Sequence, residues 1–405
     1  MRIFIQGVAA FLLCRFTCSV CRSPIHVLST FNFQQKKRNM GTEKKGCLDT
    51  CHMGRVAFHA GLFLDSGRAI QYAIGKRRKE CLVMRILVAM DVNATHKAWL
   101  EEAAGENELV YWPVQGAVSA VVPPEELAKA DVIIGNVAPD LMKYAARLQW
   151  MQLHSAGANT YCVPGVMPQG AQLTNATGAY GLAIAEHMTA LVLAMMKKLY
   201  VYHDNQKAGQ WHDEGQVRSI YGATVLVIGF GNIGKEFGKR MKAMGAHVIG
   251  IRRRSSAVPP EADEMGTMDQ LDTYLARADI VASSLPETKA TYHLYNAQRF
   301  AAMKQHAYFI NVGRGSNVVQ DDLCQALMSG HLAGAAVDVT TPEPLPQDSP
   351  LWHTPNLYIT PHISGGYHLP TTHDRIVRIA ADNLKRFLAG QPLENQVDFA
   401  TGYKK

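Results

Sequence analysis

The sequence predicts an α/β protein built from two doubly wound parallel sheets. From residue 85 onward, short apolar runs alternate with longer helix-like stretches, the pattern of strands joined by crossover helices. The runs fall into two series, separated by a long apolar segment at 184–198. The second series opens on a glycine-rich turn, Gly229-Phe230-Gly231-Asn232-Ile233-Gly234, between a strand-like run and a helix-like one.

The first series comprises 85–90, 108–112, 131–135, 148–153 and 171–175, and it contains no phosphate loop. Residues 184–198 are apolar on all sides, as suits a helix buried between domains or subunits. The second series comprises 224–229, 246–251, 279–284, 307–312, 334–339 and 357–360. Six such strands match the doubly wound dinucleotide-binding fold. The helix-like stretch 371–388 has no sheet of its own and is expected to return to the first domain. The expected division is a discontinuous substrate-binding domain of flavodoxin-like form, 84–180 with 363–405, into which a Rossmann NAD(P)-binding domain, 181–362, is inserted.

The 405 residues are enough for two domains, and 47% hydrophobic with 19% charged residues describes a globular chain. The net charge of +7 is misleading, because residues 1–83 alone hold 14 Lys/Arg against 4 Asp/Glu. The body is therefore slightly acidic, which argues against nucleic-acid binding. Six of the eight cysteines also precede residue 84. Cys162 and Cys324 are left in the body, as in a reduced cytoplasmic enzyme. Cys18 and Cys21 have the spacing of a metal knuckle and Cys47 and Cys51 come near it, yet no second pair has good ligand spacing, so no metal is expected. The apolar run 3–14 is too short to span a membrane. Residues 1–83 read as an unstructured or non-native extension, with organelle targeting as the alternative, and Met84 reads as the functional start.

In the glycine-rich turn, Gly229 permits the tight bend, Gly231 lets the backbone approach a pyrophosphate, and Gly234 lets helix and strand pack closely. The helix start then offers free N–H groups to the phosphates. An NAD site usually carries an acid about 20 residues on, to bind the ribose 2′-hydroxyl. Here the strand runs instead into Arg252-Arg253-Arg254, which favours NADP(H) by gripping its 2′-phosphate, with NAD(H) as the alternative.

Three polar residues follow strand-like runs of the second series: Arg314, Glu343 and His362. Ligands bind beyond the carboxyl ends of strands in such sheets, so all three are expected in one crevice. Reducing a 2-oxo acid requires a hydride at C2 and a proton on its oxygen. Arg314 can clamp the carboxylate and polarise the carbonyl. The His362 imidazole can carry a proton near neutrality. Glu343, on the other ring nitrogen, would orient that ring and favour its charged form.

The segment from Met84 onward resembles the D-isomer-specific 2-hydroxyacid dehydrogenases, most closely the glyoxylate/hydroxypyruvate reductase branch. The resemblance rests on 225–234, on Ile310-Asn311-Val312-Gly313-Arg314-Gly315, on 334–346, and on Thr360-Pro361-His362-Ile363. It implies that Arg314, Glu343 and His362 are the catalytic trio and that Asp338 bonds the nicotinamide amide. It also implies cofactor contacts from Leu285, Pro286, Thr291, Val312 and Gly313. Substrate contacts are implied from Asn136, Ala156, Gly157 and Arg314, the turn 155–158 being the carboxylate-binding turn. A small 2-oxo or 2-hydroxy acid and a homodimeric partner follow from the same likeness, with no role for nucleic acid or membrane.

Glu343 argues against formate chemistry, where the family has Gln. Residues 135–139 lack the arginine expected for a phosphoglycerate substrate. A dinucleotide-sensing co-repressor would need partner-binding segments, and none is identifiable in the sequence. After His362 the run Ser364-Gly365-Gly366-Tyr367-His368 departs from the small-residue pattern of the reductase branch, so Tyr367 or His368 can alter the pocket wall.

Overall fold

The computed structural model describes residues 83–114, 119–254, 257–366, 369–400 and 402–404, and the backbone of 11–17 and 24–30. Those two short segments, β1 (Phe11–Thr17) and β2 (Pro24–Thr30), pair as an antiparallel hairpin. The rest of 1–82, with the Cys18/Cys21 and Cys47/Cys51 spacings, lies outside the described residues, as do Tyr367 and His368.

The body opens on β3 (Arg85–Ala89), whose Ile86, Leu87, Val88 and Ala89 are buried. Continuous apolar sequence is what a parallel strand covered on both faces requires. Asn93 then caps helix α1 (Ala94–Ala104) through its side chain and the amide of His96. Strands β4 (Glu108–Tyr111), β5 (Val132–Gly135), β6 (Trp150–Gln152) and β7 (Gln172–Thr174) complete a parallel sheet of order β4-β3-β5-β6-β7. Numbered within the sheet this is 2-1-3-4-5, the flavodoxin-like order, with its switch point between β3 and β5. All five strands coincide with the expected ones. Leu87, Ile133, Met151 and Leu173 form the centre of its core.

Helix α2 (Gly181–Met196) starts three residues before the expected segment and stops two residues sooner. Lys198, with φ +56, turns the chain out of the helix. Ile184, Met188, Leu191, Val192 and Met195 are buried. Leu182, Ala183, Leu193 and Ala194 are only partly covered, and Ala190 is exposed.

The second sheet contains β8 (Thr224–Ile228), β9 (His247–Arg252), β10 (Glu264–Thr267), β11 (Ile280–Ser283), β12 (Ala307–Asn311), β13 (Leu332–Val337) and β14 (Leu357–Ile359). Its parallel order is β10-β9-β8-β11-β12-β13-β14. This is the doubly wound 3-2-1-4-5-6 order extended by one strand. Helix α3 (Asn232–Ala243) follows β8 and packs against α2. The six expected strands are present; β10 was not expected. Its Glu-Met-Gly-Thr sequence has no apolar run, because it is an edge strand paired on one side only. There Arg277 and His247 hold the Glu264 carboxyl down to about 2.

Helix α4 (Pro370–Leu388) follows the last loop of this sheet. Its Asp374 carboxylate lies 2.8 Å from His96 of α1, and its Asn383 donates to Gln152 of β6 at 2.8 Å. The helix therefore lies against elements of the first sheet. Among the described residues, no helix is long and apolar enough to cross a membrane.

Gly135 closes β5 with φ +120, and a Cβ there would lie 2.1 Å from the Ala89 carbonyl oxygen. Backbone cannot yield as a flexible side chain can. Gly135→Ala is therefore expected to destabilise the protein by more than about 3 kcal/mol, read from the midpoint of denaturant unfolding. A wild-type midpoint would refute the close approach.

Candidate active site

Arg314, Glu343 and His362 sit on the loops that follow the adjacent strands β12, β13 and β14. The first loop is stapled by Asn311, which is fully buried. Asn311 Oδ1 accepts from the Gly313 amide at 3.1 Å, and its Nδ2 donates to the Arg314 carbonyl at 2.9 Å. A Cβ on Gly313 would lie 2.2 Å from the Leu285 oxygen, and one on Gly315 would lie 2.1 Å from the backbone of Thr340. Arg314 is thus carried between two glycines that touch neighbouring loops. Its Nη1 donates to the Gly313 carbonyl at 2.7 Å. Its Nη2 faces Gly157, where a Cβ would approach to 2.6 Å.

Glu343 and His362 form a pair. Glu343 Oε2 lies 2.8 Å from His362 Nδ1, while Oε1 accepts from the Thr340 amide at 3.0 Å. Both carboxylate oxygens are engaged, so the acid cannot swing away from the ring without losing a second bond. The peptide bonds before Pro342 and Pro344 are both cis. His362 itself has φ +53 and donates its amide to the Asp338 carbonyl at 2.8 Å. Half its side chain is exposed, and Nε2 has no hydrogen-bond partner among the described residues. The arrangement presents a ring fixed at one nitrogen and open at the other.

The turn 155–158 is equally organised. Asn136 is buried, with Oδ1 accepting from the His154 amide at 3.0 Å and Nδ2 donating to Ser155 Oγ at 3.1 Å. Ser155 Oγ donates to the Gly157 carbonyl at 2.7 Å, and Asn175 donates to the Ala156 carbonyl at 2.8 Å. The carbonyls and side chains are thus tied down. The amides of Ser155, Ala156, Gly157 and Ala158 have no acceptor among the described residues. They can receive an anion beside the Arg314 guanidinium. Asn136 shapes this turn with both ends of its amide already used. Tyr161 donates to the Val137 carbonyl at 2.7 Å, and burial pushes its phenol up to about 12.

The glycine-rich turn fits a dinucleotide. Gly229 has φ +92, and a Cβ on Gly234 would lie 2.5 Å from the Gly229 oxygen, so both serve the bend and the packing of helix on strand. Nothing lies within 4 Å of a Cβ on Gly231, which leaves that side of the loop open. The amides of Asn232, Ile233 and Gly234 have no acceptor among the described residues, as an anion-binding helix start requires. Phe230 is fully buried against Gly250, so its ring belongs to the core. Asn232 reaches the start of α2 at Gly181, and Ile233 is half-buried.

Arg252 donates Nε to the Phe230 carbonyl at 2.7 Å. Arg253 and Arg254 are exposed, and no carboxylate pairs with any of the three among the described residues. The loop 285–291 faces the fingerprint: Ser284 Oγ donates to the Gly229 carbonyl at 3.0 Å. Thr291 braces that loop through the Pro286 carbonyl at 2.6 Å. Leu285 is partly buried on the core, and the Val312 amide donates to Ser283. Asp338 is buried, and its carboxylate is met by donors from 360–364.

The pattern of a family described as "D-isomer specific 2-hydroxyacid dehydrogenase, NAD binding domain" matches residues 189–364. A glyoxylate/hydroxypyruvate reductase B from Pectobacterium carotovorum is 34% identical over 282 residues, 67% of this chain and 87% of that one. The crystal structure of a D-isomer specific 2-hydroxyacid dehydrogenase family protein from Aeromonas salmonicida is 32% identical and superposes with a TM-score of 0.68, over 78% of this chain and 99% of that one. The chain belongs to the D-isomer-specific 2-hydroxyacid dehydrogenase family. A third relative is an NADPH-dependent glyoxylate/hydroxypyruvate reductase from Sinorhizobium meliloti, solved with NADP and sulfate. It is 27% identical with a TM-score of 0.66, over 79% of this chain and 100% of that one. This dehydrogenase is thus an NAD(P)-dependent oxidoreductase of 2-oxo and 2-hydroxy acids.

Asn311, Thr340, Thr360 and Ser364, to which the sequence assigns no role, hold the dehydrogenase's site together. Asn311 had a signal, since an amide closing a wholly apolar strand has to find partners when buried. Thr340, Thr360 and Ser364 had none, because their partners lie on other loops. The cofactor reading yields one prediction. Gly231→Val in the dehydrogenase is expected to leave Tm unchanged and to raise the Kd for NADPH and NADH at least about tenfold, or ~1.4 kcal/mol. An unaltered Kd would place the pyrophosphate elsewhere.

Proposed function

We propose that the enzyme reduces a small, unphosphorylated 2-oxo acid of the glyoxylate/hydroxypyruvate kind to the D-2-hydroxy acid, with NADP(H) preferred and His362 as the proton donor. The observation that carries this is the Glu343–His362 pair at 2.8 Å, its free Nε2 sharing the strand-end rim with Arg314.

The nicotinamide, when bound, supplies or accepts the hydride. Gly229 to Gly234, with Leu285, Pro286, Thr291, Val312 and Gly313, would hold the dinucleotide. Arg252, Arg253 and Arg254 would favour a 2′-phosphate, since no carboxylate competes for them among the described residues. The NADP bound to the Sinorhizobium relative supports the same choice.

For the substrate, the open amides of 155–158 and the Arg314 guanidinium would share the carboxylate, with charge-assisted bonds fixing its orientation. Nε2 of His362 would deliver its proton to the carbonyl oxygen in reduction and take it back in oxidation. Glu343 would keep the ring in the productive orientation. With a domain division of 84–180 and 363–405 around 181–362, the carboxylate-binding turn would lie on one domain and the proton donor at the border of the other.

A panel of 2-oxo acids assayed with NADPH and NADH tests this. Expected are turnover of glyoxylate or hydroxypyruvate, higher kcat/KM with NADPH, and a loss of about 10²–10⁴-fold in kcat for His362→Ala, the usual worth of a positioned acid–base group. Undiminished activity of that variant would sink the mechanism.

We also propose a homodimer formed through the cofactor domain. Leu182, Ala183, Leu193 and Ala194 of α2 are only partly covered, and they would supply apolar surface for a second copy. Sedimentation equilibrium is expected to give twice the chain mass, and a monomer at micromolar concentration would rule the dimer out.

A further inference from the structure

We infer that Tyr180 is a positioning residue that aims the Ser155 amide at the substrate carboxylate, by holding the His154 carbonyl behind it. The inference rests on the proposed role of the turn 155–158. In a trans peptide, the C=O of one residue and the N–H of the next lie in one plane and point opposite ways. The peptide bonds of the turn are trans, the cis bonds being those before Pro342 and Pro344. A bond to each carbonyl therefore sets the direction of the amide that follows it. Across the turn every such carbonyl is held. The Tyr180 hydroxyl donates to the His154 carbonyl. The Ala176 amide donates to the Ser155 carbonyl at 2.9 Å, and Asn175 Nδ2 donates to the Ala156 carbonyl at 2.8 Å. Ser155 Oγ closes the series on the Gly157 carbonyl at 2.7 Å. The amides directed in this way are those of Ser155, Ala156, Gly157 and Ala158, the four without an acceptor among the described residues.

Three of the four holding groups come from 175–180, the stretch that leaves β7 and enters α2. Strands β6 and β7 are neighbours in the sheet, so the loops that follow them lie side by side. Tyr180 is buried, and its own carbonyl accepts the Ile184 amide at 3.1 Å, so the start of α2 fixes where the hydroxyl reaches. A Cβ on Gly365, in the turn behind His362, would lie 3.5 Å from Cδ1 of the Tyr180 ring. At the next residue, a Cβ on Gly181 would lie 2.2 Å from Asn232 Oδ1 of the dinucleotide turn. The substrate turn, the turn behind His362 and the dinucleotide turn therefore meet at the start of α2. Burial pushes the Tyr180 phenol upward, which keeps its hydroxyl protonated as a donor. With Phe at 180, the His154–Ser155 peptide plane would lose the bond that sets its tilt, and the Ser155 N–H would lose its aim.

Tyr180→Phe removes the hydroxyl and little else. In that variant, KM for glyoxylate or hydroxypyruvate with saturating NADPH is expected to rise roughly tenfold, the worth of one hydrogen bond to a charged group. Both kcat and the Kd for NADPH should stay within about threefold of the wild type, since neither proton transfer nor the dinucleotide turn is touched. The Kd of oxamate, an unreactive isostere of a 2-oxo acid, should weaken by the same factor as KM when measured by calorimetry on the NADPH complex. Asn175→Ala frees the Ala156 carbonyl, and with it the Gly157 amide. It should show the same split between KM and kcat, and it decides alone if Tyr180→Phe does not fold. A lower Tm with KM and the oxamate Kd unchanged would reduce Tyr180 to packing and overturn the inference. So would a loss of roughly tenfold in kcat at unchanged KM, which would put the hydroxyl on the side of proton transfer. A wild type that binds oxamate yet reduces no 2-oxo acid would defeat the functional reading alone, and the oxamate Kd would then judge Tyr180.

Discussion

Gly313 and Gly315 bring the loop after β12 into backbone contact with the loops after β11 and β13, and the rest of the site depends on that approach. With a side chain at either position, the loop would meet the carbonyl of Leu285 or the backbone of Thr340 at little more than 2 Å. Parallel strands deliver every carboxyl end to one rim, but strands about 4.8 Å apart leave their loops little room. Glycine removes the obstacle, and Arg314 occupies the position between. Thr340, pressed against Gly315, is the residue whose amide fixes Glu343. The same contact therefore sets where the cation stands and how the acid is held.

The site divides its charges by solvent access. Arg314 and His362 each keep a nitrogen without a partner among the described residues, while Glu343 is partly exposed with both oxygens engaged. Asp338, a few residues away, is buried and met by donors from 360–364. A buried carboxylate is costly unless its acceptor positions are filled. Here the donors come from the segment that carries His362, so burial cost and loop geometry are settled by the same bonds. The turn 155–158 follows a similar rule: Asn136 and Asn175 tie down the His154 amide, the Ser155 hydroxyl and the Ala156 carbonyl, while the amides of 155–158 have no acceptor among the described residues.

Much of this was legible in the sequence. Strands covered on both faces read as apolar runs, and both sheets were identified that way. The exception, β10, is an edge strand with polar residues, for which hydropathy carries no signal. The trio was legible because each member follows such a run. The motifs do not tell where the Phe230 and Thr291 side chains point. Phe230 fills the core over Gly250, and Thr291 braces its own loop. A motif records which residue types a turn contains, while the direction of each side chain depends on what packs behind it.

The sequence by itself determined the order of strands along the chain, the glycine positions, and the presence of a cation, an acid and an imidazole after three of the strands. These are local properties, set by side-chain type and by spacing of two or three residues. Only the tertiary structure decided that Glu343 meets His362 through Nδ1, that Gly157 faces the Arg314 guanidinium, and that Asp338 gathers Thr360, Ile363 and Ser364. Those contacts join residues on different loops. Their existence depends on strand adjacency and on how closely backbones pass, which no single stretch of the chain encodes.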